Sequence, residues 1–382
     1  GAPPIYEKGL KEMLTAHAGN RLKATDSYDC IPDTDITFIC VGTPPDSEGR
    51  ADLSMLRSAS ISIGKALMGA DGYHIVVVKS TVPPGTTGGL VAAEVLYHSA
   101  KGKDDIGFAM NPEFLREGLA VQDFMNPDRI VIGSEVERVG DVVEGVYQGL
   151  GAPVLRTSLM VAEMIKYASN AFLASKISFS NEIGNICKRL GIDVYDVMKG
   201  VGMDSRISPH FLNAGAGFGG SCFPKDVAAL IHLAEEIGED PVILKSVLEV
   251  NDRQPLKMVD LLEDKLGNLK GKRIAILGLA FKDETDDVRD SRSISAIEEL
   301  RRRGAEVAAY DPLANSSMSR TFPQIDYYGS AAEALRSADG CLVMTEWPEF
   351  RDLDNEFDLM RSRVIIEGRK ILNCRGADGI CW

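Results

Sequence analysis

The sequence has no C-x-x-C pair and no long apolar run, and its acidic residues outnumber its basic ones by 56 to 42. Each absence removes a class of function. The seven cysteines are scattered and odd in number, which indicates neither a disulfide framework nor a zinc site, and a reducing, cytoplasmic setting is expected. No apolar stretch approaches the roughly 20 residues that span a bilayer, and no signal peptide or low-complexity tract is visible. The net charge of -14 leaves no broad basic surface to neutralise nucleic-acid phosphates. Any anionic ligand must therefore be held locally, by a few Lys, Arg or helix N-termini. A phosphate-binding G-x-G-x-x-G loop is absent before residue 42.

What is present is ample for two or three soluble domains: 382 residues, 45% of them hydrophobic. A helical pattern begins at Glu7-Lys-Gly-Leu-Lys-Glu-Met-Leu14. The β-rich run Asp35-Ile-Thr-Phe-Ile-Cys-Val41 then opens into Gly42-Thr-Pro, as a buried strand opens into a ligand-side loop. A helix is expected over Leu53 to Met68, and His74-Ile-Val-Val-Val-Lys-Ser-Thr-Val-Pro83 reads as a strand. Residues 85 to 98 form a further helix, and strands follow at Gly107-Phe-Ala-Met and Arg129-Ile-Val-Ile-Gly133. Alternating strands and helices imply a parallel, doubly wound sheet whose ligands sit beyond the carboxyl ends of the strands. The pattern looks like the later part of a dinucleotide-binding fold. Its first strand, glycine loop, first helix and acidic second strand are missing here, and the natural chain is expected to begin upstream with them.

From about Thr157 the chain turns helical, with a run from Leu159 to Lys176 that continues toward Leu190. Lys166 and Asn170, four apart, project from one face of it. That face offers a cation and an amide to one ligand atom; the other reading is a pair of solvated surface residues. A second α/β domain starts at Lys272-Arg-Ile-Ala-Ile-Leu-Gly-Leu-Ala-Phe-Lys282, with later strands at Glu306 to Pro312, Gly340 to Thr345 and Val364 to Arg369. Its Gly278-Leu-Ala-Phe-Lys turn lacks the second and third glycines of a dinucleotide fingerprint, though it remains able to cradle a nucleotide. Lys282, Arg289 and Arg369 are the basic residues an anionic ligand needs there, and the other reading of each is an ordinary surface charge.

One stretch carries chemistry most directly: Gly217-Phe-Gly-Gly-Ser-Cys-Phe-Pro-Lys-Asp226. Pro224 suits the first turn of a helix starting near Ser221, which puts Cys222 at a helix N-terminus. The partial positive charge there, with Lys225, favours the thiolate. Asp226, one turn on, is within reach as a base or water-positioner. The glycines would let the backbone approach a ligand closely. The competing reading is a helix capped by Ser221 beside a buried structural cysteine.

Taken together the pieces closely resemble the UDP-glucose/GDP-mannose 6-dehydrogenases, which oxidise a nucleotide-sugar twice. The likeness runs from Pro4-Ile-Tyr-Glu through Cys40-Val-Gly-Thr-Pro44, Ser80-Thr-Val-Pro83, Asn111-Pro-Glu-Phe-Leu-Arg-Glu-Gly118 and Asn126-Pro-Asp-Arg129 to the cysteine motif. It implies two Rossmann-like parallel-sheet domains joined by a helical middle domain with a long central helix. The boundaries are 1–153 for an NAD-binding domain lacking its first βαβ unit, 154–255 for a middle domain with the catalytic cysteine, and 256–382 for a nucleotide-sugar domain.

The resemblance also implies roles. Cys222 is the nucleophile; Lys166 and Asn170 hold the reacting oxygen; Asp226 and Thr81 place and activate water, with Glu113 beside them. Gly42, Thr43, Thr81, Glu117, Lys225 and Arg289 correspond to contacts of the NAD cofactor. Glu113, Phe114, Leu115, Lys166, Asn170, Arg206, Phe211, Asn213, Gly219, Phe281, Lys282 and Arg369 fall at nucleotide-sugar positions, and no metal is implied. UDP-glucose fits the wording around Cys222 best. GDP-mannose or an N-acetylated sugar is the alternative within the family, and a non-catalytic nucleotide-sugar-binding remnant the alternative outside it. Simpler hydroxyacid dehydrogenases share a lysine-asparagine helix, but they stop after one oxidation and have no use for Cys222. A homodimer or higher homo-oligomer joined through the long helix is expected, with Arg206 reaching a neighbour's site. With the glycine loop absent, the chain as given is expected to bind the nucleotide-sugar but to hold NAD weakly.

Overall fold

The computed structural model describes residues 3 and 7–382; the Pro4-Ile-Tyr part of the first family-like stretch lies outside them. The chain divides into two compact units, Gly1–Ser169 with Ala228–Gly238, and Asn170–Val227 with Glu239–Trp382.

In the first unit helix α1 (Leu10–His17) precedes β1 (Ile36–Ile39), α2 (Ser54–Ala66) and β2 (His74–Val78). A π-helical turn over Thr87–Val91 leads into α3 (Ala92–Ser99), then β3 (Ile106–Met110), α4 (Ala120–Met125), β4 (Ile130–Gly133), α5 (Glu137–Val146) and β5 (Val154–Thr157). The strands pair in the order β1-β2-β3-β4-β5. The first three are parallel, with Ile36 opposite Ile75 and His74 opposite Ile106. Sequence alternation predicts parallel pairing throughout, yet β3 meets β4 antiparallel at Met110 and Gly133. The cause is local: α4 spans 6 residues and buries none of them, so no crossover helix covers a sheet face there, as a parallel return requires. The apolar runs point to both faces. Val76 and Val78 pack with Ile39, Leu56, Ile63, Val91 and Val95, while Ile75 and Val77 pack with Ile130, Ile132, Val139 and Val143. A sheet buried on both sides needs such runs, not alternation.

Helix α6 (Leu159–Leu190) has 32 residues, about 48 Å at the usual helical rise, and contributes its first turns to the first unit. The expected run is thus one unbroken helix. In the second unit follow α7 (Val194–Gly202), the first turn of α8 (Phe223–Glu236) and α9 (Val242–Leu266). After them come β6 (Arg273–Leu277), α10 (Arg292–Arg302), β7 (Glu306–Tyr310), α11 (Asn315–Thr321), β8 (Asp326–Tyr327), α12 (Ala331–Leu335), β9 (Gly340–Val343), α13 (Asp354–Phe357), β10 (Ile365–Glu367) and β11 (Ala377–Gly379). The sheet order is β11-β10-β9-β6-β7-β8, parallel throughout. The order reverses at β6, the point where the crevice of a doubly wound sheet opens. Edge strands β8 and β11 are too short to leave a periodic signal, and sequence reading misses both. Ile274 and Ile276 face α9 and α10 residues such as Met258, Leu262 and Ile297; Ala275 and Leu277 face Leu335, Phe350 and Phe357.

Candidate active site

Helix α8 begins at Phe223, so Cys222 stands immediately before its first turn, and Asp226 N donates to Cys222 O at 3.0 Å. The helix thus starts two residues after Ser221, near which the sequence places its beginning, and Gly220, with φ +83°, lies in the turn ahead of it. Pro224 occupies a first-turn position that needs no N–H donor. The Cys222 side chain is exposed, Ser221 Oγ lies 3.7 Å from its Sγ, and the cysteine is not a packed structural residue. Unpaired helix N–H groups favour an anionic sulfur at this place. Asp226 is 1% exposed. Its carboxylate accepts from Asn170 Nδ2 at 2.6 Å and pairs with Lys225 Nζ, which compensates the burial of its charge. The Phe223 ring meets Phe218 and Phe211 edge-on at 5.9 and 6.2 Å.

The glycines of this loop have a packing role that the sequence does not show. A Cβ on Gly219 would lie 2.3 Å from Asp290 O, one on Gly220 2.7 Å from the Phe281 ring, and one on Gly217 2.6 Å from Asn251 Oδ1. Those separations are inside contact distance, so the glycines allow the loop to pack against its own unit. Gly220 N donates to Arg289 O at 2.9 Å, and Arg369 Nη2 donates to Gly217 O at 2.9 Å while its Nε faces Glu346 Oε2 at 2.9 Å. Gly219, Phe281, Arg289 and Arg369 therefore meet around one loop.

The other basic candidates are differently placed. The Arg289 guanidinium pairs with Asp287, and Lys282 Nζ donates to Asp283 O at 3.2 Å. Arg206 is 87% exposed and pairs with Asp204; Phe211 has φ +63°, and Asn213 is exposed. The Gly278 turn is not an open cradle. Its Leu279 and Ala280 N–H groups donate at 2.7 and 3.1 Å to Asp311 Oδ2, a buried carboxylate that Trp347 Nε1 also reaches. An internal anion occupies those donors.

The first unit carries the remaining candidates. Lys166 is 3% exposed, which rules out the solvated-surface reading, and its Nζ lies 3.0 Å from Glu113 Oε1. Asn170, one turn along α6, is 6% exposed. Glu113 Oε2 accepts from Leu115 N at 2.6 Å. The Phe114 ring lies under two cations, Arg129 at 4.0 Å and Lys166 at 5.4 Å. Past the carboxyl ends of β1 and β2, Thr43 Oγ1 donates to Thr81 O at 2.8 Å. A Cβ added at Gly42 would meet only Met55 Sδ, at 4.0 Å, so the backbone there is open to a ligand. Hydroxyls and open backbone at strand ends fit the crevice side of a dinucleotide.

Several residues that hold these groups escape sequence reading. Glu7, 6% exposed, accepts from Gly118 N and Ala120 N at 2.7 and 3.0 Å and fixes the loop that carries Glu117. Glu163, fully buried on α6, accepts from Gly85 N and Thr87 N at 2.6 and 2.7 Å and ties down the segment after Thr81; burial raises its pKa. Lys79 Nζ donates to Asn111 Oδ1 and Tyr147 OH, both at 3.1 Å, and Asn111 Nδ2 donates to Val131 O. Burial lowers the Lys79 pKa and pushes that of Tyr147 up to about 12. A lone polar residue has no partner visible in sequence. The only signal is its place inside an apolar run, as for Glu163 between Ala162 and Met164.

Among the described residues no cluster of three or more His, Cys, Asp or Glu is placed to hold a metal ion, and no helix is long and apolar enough to cross a membrane.

Comparison with known proteins places the chain. Residues 1–151 match the NAD binding domain of the UDP-glucose/GDP-mannose dehydrogenase family, 160–253 its central domain and 275–374 its UDP binding domain. The chain is 49% identical to the UDP-glucose 6-dehydrogenase AglM of Haloferax volcanii, over 98% of this chain and 88% of that protein. It is 43% identical to the UDP-glucose 6-dehydrogenase TuaD of Bacillus subtilis, over 98% of this chain and 81% of that one. A solved UDP-glucose dehydrogenase from the archaeon Pyrobaculum islandicum superposes with TM-score 0.94 at 44% identity, covering 100% of this chain and 88% of that one. With all three domains matched in order along a fold of this likeness, the chain belongs to the UDP-glucose/GDP-mannose dehydrogenase family.

Proposed function

We propose that this family member oxidises UDP-glucose at C6 to UDP-glucuronate in two successive dehydrogenations, through intermediates bound to Cys222. The observation that carries the reading is an exposed cysteine directly ahead of α8, one turn from the buried Asp226–Asn170 pair. Removing one hydride from an alcohol needs no nucleophile, whereas taking the resulting aldehyde on to an acid does. We assign the cofactor domain to 1–153, the middle domain to 154–255 and the nucleotide-sugar domain to 256–382. Gly42, Thr43, Thr81, Glu117, Lys225 and Arg289 are the proposed contacts of NAD, which when bound supplies the hydride acceptor for each oxidation.

The chain's own residues do the rest. Cys222 thiolate adds to C6 of the aldehyde; the C–S bond forms as the carbonyl pair moves to oxygen and takes a proton. Loss of the C6 hydride and the hydroxyl proton turns this thiohemiacetal into a thioester. Lys166 and Asn170 donate to the oxygen that gains charge, a contribution of about 3 kcal/mol per good donor. Glu113 orients the Lys166 ammonium. Water held by Asp226 and Thr81 then attacks the thioester, its proton passes to Asp226, the C–S bond breaks and the thiolate leaves. Phe281, Lys282 and Arg369 hold the nucleotide-sugar.

UDP-glucose is preferred because AglM, TuaD and the Pyrobaculum islandicum protein all carry that substrate in their names. GDP-mannose, the family's other named substrate, is the alternative. A reducing, cytoplasmic setting is the proposed location, on the scattered and odd-numbered cysteines of the sequence. Turnover of UDP-glucose, GDP-mannose and their N-acetylated analogues tests the substrate: kcat/KM should be highest for UDP-glucose, and a preference for any other sugar overturns the choice. Cys222→Ser should abolish acid formation and leave nucleotide-sugar binding within a few-fold; a serine variant that still yields acid would refute the covalent route.

A further inference from the structure

The loop that ends at Cys222 is anchored by a set of buried carboxamides. Asn181 Oδ1 accepts from Gly215 N at 2.7 Å, and Gln254 Nε2 donates to Gly215 O at 2.9 Å. Three residues on, Asn251 Oδ1 accepts from Phe218 N at 2.7 Å while its Nδ2 donates to Phe218 O at 3.0 Å. One amide side chain thus takes both polar groups of one backbone residue, the pairing a neighbouring strand would provide. Asn181 and Gln254 are fully buried, and Asn251 is 1% exposed. Asn185 Nδ2 donates to Gln254 Oε1 at 2.8 Å and fixes which way that amide points. Helical spacing puts Asn181 with Asn185 on one face of α6, and Asn251 with Gln254 on one face of α9. Ala214, Ala216 and Phe218 point into the core, and a Cβ on Gly217 would strike Asn251. Phe218 in turn packs against Phe223, the first residue of α8.

We propose that Asn251, supported by Gln254 and Asn181, is a positioning residue that sets where the Cys222 sulfur stands, acting through the backbone of Gly215 and Phe218. Solubility or stability alone does not call for buried amides here, since apolar groups fill a core without partners to satisfy. A carboxamide supplies a donor and an acceptor at fixed separation, and so fixes register as well as depth. The consequence for the reaction rests on the reading of Cys222 as nucleophile; the consequence for the thiol's exposure and reactivity does not.

The test uses Asn251→Asp, which keeps size and the acceptor for Phe218 N but loses the donor to Phe218 O. Gln254→Glu does the same at Gly215 O and serves if the first variant does not fold. Three quantities are read in the intact protein: the alkylation rate of Cys222 by iodoacetamide, followed by peptide mass; acid and trapped aldehyde per UDP-glucose; and the melting temperature. A misplaced sulfur should slow acid formation by roughly 100-fold. The fall in acid formation should far exceed any rise in KM: Arg369, which donates to Gly217 O, shares the loop, but the sulfur acts only in the second oxidation. Aldehyde should become trappable, since the first oxidation does not use Cys222, and the Cys222 alkylation rate should change by about tenfold or more. Wild-type alkylation and acid formation in a folded variant would overturn the proposal. So would a rise in KM in step with equal falls in both oxidations and in melting temperature, which marks a merely structural residue. If Cys222→Ser itself still makes acid, the nucleophile reading fails, and the alkylation arm still decides whether Asn251 positions the thiol.

Discussion

At the scale of single residues, the buried charges of the candidate site are held by partners. Lys166 has Glu113, Asp226 has Asn170 and Lys225, and Asp311 has the turn after β6. His74 is a further instance with a consequence for pH. It is 4% exposed, and its Nδ1 and Nε2 lie 2.8 Å from Thr34 O and 2.9 Å from Thr37 Oγ1. A neutral ring that donates from Nδ1 and accepts at Nε2 satisfies both. Burial, with a smaller contribution from Lys101, holds its pKa below the usual 6.5. The folded value is depressed, so the stabilising contribution is present above 6.5 and is lost as pH falls through the folded value. The melting temperature should therefore drop on acidification from neutrality, and His74→Gln should make that drop shallower. An unchanged acid slope in the variant would assign the effect to other groups.

At the scale of elements, α6 is the axis of the account. Its buried face carries Glu163, Lys166, Asn170 and Asn181, while Phe172, Phe179 and Ile186, 67%, 53% and 52% exposed, recur every seven residues along another face. An exposed apolar stripe of that length calls for a partner surface, and a second copy of this chain is the expected one. Phe172→Glu with Phe179→Glu should convert a dimer to a monomer in light scattering. A wild-type protein that is already monomeric at micromolar concentration would contradict this.

The same helix shows what could be read without a structure. Its span was legible because an apolar pattern runs from Leu159 to Leu190 with no proline or glycine before Gly184. The cysteine turn was legible because Gly220, Cys222 and Pro224 each constrain the backbone or the chemistry by type. Asn181, Asn251, Gln254 and Glu7 were not, because an amide or carboxylate on a helix or in a loop reads as surface until its partner across the fold is known. The direction of β4 was hidden for a related reason: strand direction follows from the connection, and α4 is too short to declare itself. The packing role of the glycines in 217–220 was not legible, since ligand approach and close packing demand the same residue.

At the scale of the whole molecule, an acidic chain with net charge -14 takes an anionic substrate and an anionic cofactor. Long-range attraction does not help it, so recognition needs local groups, for which Arg369 and Lys282 are the proposed ones. In the proposed mechanism the nucleophile is needed only for the second oxidation. Moderate salt should accordingly change KM for the nucleotide-sugar little, and a KM that falls steeply as salt is removed would point to a broader electrostatic field. The central claim, a double oxidation through Cys222, is tested most directly by counting NADH formed per UDP-glucose consumed at completion, with the sugar limiting. Two NADH are expected, with UDP-glucuronate as the product. One NADH per sugar with the aldehyde released would contradict it.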